Sequence, residues 1–157
     1  MGIESSYNFR RVSDRLTTSG VIPRDALEGL ADEGYGLVID LLPADSEYAT
    51  PDEREVVEGQ GLEYVHIPVD FDRPTPADLH RFTEAMDAAG DRRTHVHCAA
   101  NFRVSAFYSV YALQRGRWTP EEARAHLAGI WDPREHPAWT ELIRGAGGDA
   151  LLDADGP

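Results

Sequence analysis

At 157 residues and 41 % hydrophobic content, the chain is long enough to bury a core and too apolar to be disordered. Its 28 acidic residues outweigh 15 basic ones, and the formal net charge of −13 opposes binding to nucleic acid or an anionic membrane surface. Every basic residue is arginine, a usage that suits a GC-rich bacterial source, and a single cysteine cannot form an internal disulfide, which suits a reducing, cytoplasmic setting.

Residues 7–16 read as a short hairpin turning near Ser13 and Asp14, broken by Ser19 and Gly20. Pro23 suits a first helical turn, and Ala26, Leu27, Leu30 and Ala31 form an apolar stripe up to Gly34. Residues 35–42 are a continuous apolar run with Asp40 inside it, the pattern of a buried strand. A loop over 43–51 leads into a short acidic helix over 52–59. Residues 63–69 alternate as a strand whose end, at Pro68, leaves the ladder. Thr75, Pro76 and Asp78 supply a hydroxyl cap, a first-turn proline and an acid at the third position. Leu79, Phe82, Met86 and Ala89 then mark one helix face. Thr119, Pro120 and Glu122 repeat that chemistry for a helix ending near Ile130. Pro137 opens a last helix with Trp139, Leu142 and Ile143 inward. From 146 to 157 the chain is rich in Gly and Asp and reads as a flexible tail after one domain over 1–145. Strands alternating with helices predict an α/β, three-layer fold. Its central sheet has four to five mostly parallel strands, with helices on both faces.

The chemistry concentrates in residues 94–107. Thr94, His95, Val96 and His97 read as a buried strand, and residues 103–114 as an apolar, aromatic-rich central helix. Between them lie Cys98, Ala99, Ala100, Asn101 and Phe102. A strand, tight turn and helix start aim backbone N–H groups and the positive end of the helix dipole at one point, which makes an anion site. A cysteine there is held as its nucleophilic thiolate. An arginine one turn on can grip two oxygens of a tetrahedral anion with its planar fork.

This stretch resembles the cysteine-dependent protein-tyrosine and dual-specificity phosphatase superfamily, whose signature is His-Cys, five residues, Arg, then Ser or Thr. His97 and Cys98 match, but only four residues separate Cys98 from Arg103. Val104 stands where the family places its arginine, Ser105 where it places its hydroxyl, and Asn101 where it places a glycine. Asn is the non-glycine residue best suited to a left-handed turn. The expected geometry keeps the loop's length to Ser105, with Arg103 entering one position early.

The resemblance implies a phosphomonoester hydrolase that acts through a phosphocysteine intermediate, needs no cofactor, and takes a phosphorylated protein or small molecule. Cys98 would be the nucleophile and Arg103 the clamp on the transferring group. Ala99, Ala100, Asn101, Phe102 and Val104 would line the loop, Ser105 would hydrogen-bond the sulfur, and His97 would support the thiolate. Asp72, with Asp70 second, would be the general acid in a loop that precedes Pro74. His95, His97 and Cys98 could suggest a metal, but no second Cys/His cluster supplies further ligands, so none is expected. The short Cys-to-Arg spacing leaves two alternatives: a rhodanese-like sulfurtransferase, or a non-catalytic oxyanion-binding pseudophosphatase.

Overall fold

The continuous apolar run of residues 35–42 demands cover on both faces of its strand, and the computed structural model, which describes residues 2–152, provides it. Five strands form one sheet: β1 (Arg10–Ser13), β2 (Leu16–Ser19), β3 (Tyr35–Asp40), β4 (Glu63–His66) and β5 (Arg93–His97). The order is β1-β2-β5-β3-β4; only β1 runs antiparallel to its neighbour. The helices are α1 (Arg24–Glu28), α2 (Glu53–Glu58), α3 (Pro76–Ala88), α4 (Phe102–Gln114), α5 (Pro120–Ala128), α6 (Pro137–Gly145) and α7 (Asp149–Leu152).

Two cores flank the sheet. The larger takes Leu37, Ile39 and Val96 and packs them against Phe82, Phe107, Tyr111, Leu127 and Trp139 from the helices that follow β4. The smaller takes Tyr35, Val38 and Tyr64 against Leu27, Leu30 and Val57 from α1, α2 and the turn after α1. Tyr35 and Leu37 would share a face in a regular strand. They face opposite cores because the pairing with β5 shifts register between them.

Both predicted capping boxes form. Thr75 accepts from the Asp78 amide while Asp78 accepts from that of Thr75, and Thr119 and Glu122 do the same. Losing either hydroxyl costs about 1 kcal/mol. Helix α4 is buried along nearly its whole length, as its apolar girth requires. The β4 ladder stops at His66, short of the expected Val69, because Pro68 has no N–H. The chain still leans on β3 through Ile67 N–H to Asp40 O and Val69 N–H to Leu41 O.

One expectation is corrected. The chain does not fray at 146. Residues 149–152 form α7, and Leu151 and Leu152 are buried in the larger core. Glycine-rich sequence at 147–148 allows the turn, and two leucines supply enough apolar area to dock the segment. The remainder of the expected tail, 153–157, lies outside the described residues.

Candidate functional site

The carboxyl ends of the four parallel strands bring Ser19, His97, Asp40 and His66 into one row, each paired in register with the next. Ligands of open α/β sheets bind beyond such edges. Directly after this row the chain turns through Cys98, Ala99, Ala100 and Asn101 into α4. Cys98 is fully buried, and its N–H is held by Ser19 O at 3.2 Å.

The loop's carbonyls are tied down from the side of β2. Ala99 O accepts from Val21 N–H at 2.9 Å, and Ala100 O accepts from Asn8 Nδ2 at 3.0 Å. Asn101 returns the contact: its Nδ2 donates to Asn8 O at 2.9 Å and to Thr18 Oγ1 at 3.1 Å. Asn101 sits at φ 70°, the left-handed turn its residue type tolerates, and Asn8 at φ 51°. Gly20 bridges Ala100, and a Cβ there would stand 2.3 Å from Ala99 O, so only glycine permits this approach. With its carbonyls occupied outward, the loop keeps the N–H groups of Ala99, Ala100, Phe102 and Arg103 without an acceptor among the described residues. That is the donor arrangement an oxyanion needs.

Arg103 is the second residue of α4 and joins this loop to the one after β4. Its Nε donates to Val69 O at 2.8 Å, and its guanidinium carbon lies 5.3 Å from the Phe71 ring centre. The two terminal nitrogens of the fork carry no partner among the described residues. Phe71 packs against Phe102, Trp131, His136 and Trp139, and the Trp139 indole N–H donates to Phe71 O at 2.8 Å. Trp131 stacks flat on Phe102 at 4.8 Å. This aromatic cluster fixes both loops, a role that the scattered Trp residues do not announce in sequence.

The candidate acids diverge. Asp70 follows the carbonyl that Arg103 grips, and its Oδ1 caps the Asp72 N–H at 2.9 Å. Asp72 is exposed and lines a groove of about 920 Å³ with Arg73, Leu79, Thr83 and Leu142, over α3 and α6. Two loop candidates do not meet the site as expected. Val104 is fully buried in the larger core, because the second helical position, not the third, faces the loop. Ser105 donates to Phe102 O and accepts from the Trp131 indole N–H, so its hydroxyl is committed away from the sulfur.

His97 Nε2 is hydrogen-bonded to Glu53 Oε2 and lies 3.6 Å from Asp40 Oδ1. Burial pulls its pKa down, but the charges of Asp40 and Glu53 more than offset that and hold it at about 10. Tyr64 donates to Asp40, as does Leu42 N–H. Donor atoms of Asp40, Glu53 and His97 lie within 4.8 Å of one another. His97 Nε2 and both Asp40 oxygens carry hydrogen bonds or a charge partner, while His97 Nδ1 is buried without a hydrogen-bond partner among the described residues. Glu53 escapes sequence reasoning because an acid opening an acidic helix reads as solvent-facing. Its spacing of four from the buried Val57 is the one available signal.

A family model described as "DSP-PTPase phosphatase fused to NAD+ Kinase" matches residues 7–130. No curated protein matches. A solved protein of Shewanella putrefaciens CN-32, assigned as a phosphatase (DUF442), is similar over 94 % of this chain and 92 % of its own, at 31 % identity and a TM-score of 0.84. The fold is also similar to that of Pseudomonas aeruginosa TpbA, solved with phosphotyrosine, at 20 % identity over 94 % and 89 % of the two chains, TM-score 0.69. The core catalytic domain of the Saccharomyces cerevisiae PP-IP phosphatase SIW14 superposes at 13 % identity over 94 % and 95 %, TM-score 0.68.

Proposed function

The chain belongs to the DSP-PTPase phosphatase family, the protein-tyrosine and dual-specificity type, and from that premise we propose that it hydrolyses phosphomonoesters through a phosphocysteine on Cys98. The observation that carries this reading is the bridge from Arg103 to Val69 O. It holds the cysteine loop and the Asp70 loop together at the ends of β5 and β4.

The Cys98 sulfur attacks phosphorus in line. The S–P bond forms as the bond to the leaving oxygen breaks, and that oxygen takes the proton of a carboxylic acid. Asp70 is the better-supported acid. It lies beside the Arg103 contact, whereas Asp72 lines the groove over α3 and α6. The equatorial oxygens lie against the loop N–H groups and the two terminal nitrogens of Arg103, donors that need no reorganisation as charge builds. Water then attacks the phosphocysteine, giving its proton to Asp70; the S–P bond breaks, and inorganic phosphate leaves with the thiolate restored. The commitment of Ser105 to Phe102 and Trp131 and the burial of Val104 support a loop one residue shorter, rather than a displaced arginine in a loop of full length. No helix of the described residues is long and apolar enough to cross a membrane.

Steady-state kinetics on aryl and alkyl phosphates test the assignment. Cys98→Ser should abolish turnover. Asp70→Asn should slow esters with poor leaving groups by roughly 10²–10⁴-fold and p-nitrophenyl phosphate far less. Asp72→Asn should stay near the parent rate. A mild Asp70→Asn beside a severe Asp72→Asn would reverse the two roles. Sulfur transfer from thiosulfate without ester hydrolysis would overturn the reading.

A further inference from the structure

The mechanism above uses one end of the loop after β4 and leaves the other. Asp70 stands beside the Arg103 contact, while Asp72, Arg73 and Pro74 line the groove of about 920 Å³ over α3 and α6. Leu79 and Thr83 line it from α3, and Ala138 and Leu142 from α6, each pair spaced by four so that one stripe of each helix forms a wall. Leu79 and Leu142, only 6 % and 8 % exposed, make its floor apolar. From Leu79 to Asp87 the α3 wall runs about 12 Å, the reach of about four extended residues. The rim is acidic: Asp72, Glu84, Asp87 and Glu141 stand against Arg73 and Arg115, which leaves two net negative charges before His80 is counted. Arg115 is bound to Asp87 at 2.6 Å, and Glu84 has only His80, at 3.5 Å. Asp72 and Glu141 form no ion pair among the described residues.

We propose that this groove docks a short segment of a phosphoprotein substrate in which basic and apolar side chains alternate. The proposal rests on the phosphatase reading and makes its substrate a protein rather than a small molecule. Apolar side chains cover Leu79 and Leu142 while arginine or lysine meets the acids of the rim. Position supports this. Asp70 Oδ1 accepts from the Asp72 N–H at 2.9 Å, and two residues of chain span at most about 7 Å, so the groove begins beside the proposed acid. A chain that places its phosphoryl group at Cys98 has the groove within a few residues' reach. Other occupants match the charge less well. A second copy brings a net charge of −13, and residues 153–157 of this chain carry two aspartates and no base.

The test is peptide binding read by fluorescence anisotropy, which needs no turnover. The probe is a labelled six-residue peptide alternating arginine and leucine, and its counterpart carries glutamate in place of arginine. The parent should bind the arginine peptide roughly tenfold more tightly, and Glu84→Lys with Glu141→Lys should weaken that binding by about the same factor. Asp32→Lys with Glu55→Lys makes the same change in net charge on exposed acids outside the groove and should weaken it far less. Equal weakening by the two pairs would assign the attraction to the whole acidic surface, and equal affinity for the two peptides would deny charge selection; either overturns the inference. A dimer in sedimentation that Glu84→Lys with Glu141→Lys disperses would assign the groove to a second copy and overturn it as well. If that double variant does not fold, Glu84→Gln with Glu141→Gln decides: parent-like affinity overturns the inference. Kinetics separate it from the phosphatase reading. With a phosphotyrosine added to one end of each peptide, the arginine form should show a KM roughly tenfold lower at similar kcat. Hydrolysis of p-nitrophenyl phosphate without that preference overturns the groove alone, whereas hydrolysis of no ester overturns the phosphatase reading.

Discussion

His95 and His97 stand two residues apart on one strand, on one face of the sheet. Both are buried, and their rings stack at 6.3 Å. Their chemistry is opposite. His95 lies between hydroxyls, with Nδ1 on Thr17 and Nε2 on Ser19, each at 2.8 Å. Burial, and then the charge of His97, drive it well below the usual histidine range. His97 meets two carboxylates and is held up at about 10. The same side chain in the same depth of protein is a neutral strut at one site and a cation at the next. The difference lies entirely in what the neighbouring strands and α2 present. Burial alone drives a histidine neutral, and only the charge of nearby carboxylates overrides it.

The largest test of this contrast removes the cation. His97→Ala strands the Glu53 and Asp40 carboxylates in a dry site and should cost about 3–5 kcal/mol in urea unfolding at neutral pH. Thr17→Val attacks the neutral member instead. It leaves His95 Nδ1 and the Tyr35 hydroxyl without their shared partner and should cost about 1–3 kcal/mol. A loss as large as that of His97→Ala would mean that the two sites do not differ in kind.

The pH dependence sharpens the contrast, because the two histidines act with opposite sign. His97 holds its proton more tightly folded than unfolded. Its contribution to stability is complete below the ordinary histidine value of 6.5 and is lost as pH rises toward about 10. His95 holds its proton less tightly folded, so stability falls as pH drops below 6.5. Urea midpoints across that range should decline on both sides of a maximum. His97→Gln should remove the alkaline decline and leave the acidic one. The smallest expected effect is that of Asn101→Gly. Glycine accepts φ 70° without strain, so stability should change by no more than about 1–2 kcal/mol, while the bonds to Asn8 and Thr18 are lost.

Much of this arrangement is legible in the sequence. The caps at Thr75 and Thr119, the strand ending at His97, and the cysteine, asparagine and arginine of the turn follow from local rules that depend on few residues. What escapes is non-local. The burial of Glu53 depends on which face α2 turns to the sheet. The contact that sets Asp70 beside Arg103 depends on where that arginine reaches from another element. The docking of Leu151 and Leu152 depends on a core completed by helices earlier in the chain. The hydroxyl of Ser105 matches the family pattern in position, yet Trp131, twenty-six residues on, decides where it points.

The reciprocal bonds between Asn8 and residues 100–101 span separations of 92 and 93 positions. Contacts so distant in sequence form against a large loop-closure entropy and give nothing until β2 and β5 have paired. The turn around Cys98 therefore belongs to the last events of folding. A refolding chain should recover its helical signal before Cys98 becomes reactive, and a chain lacking its first nine residues should keep the sheet while its cysteine loop wanders.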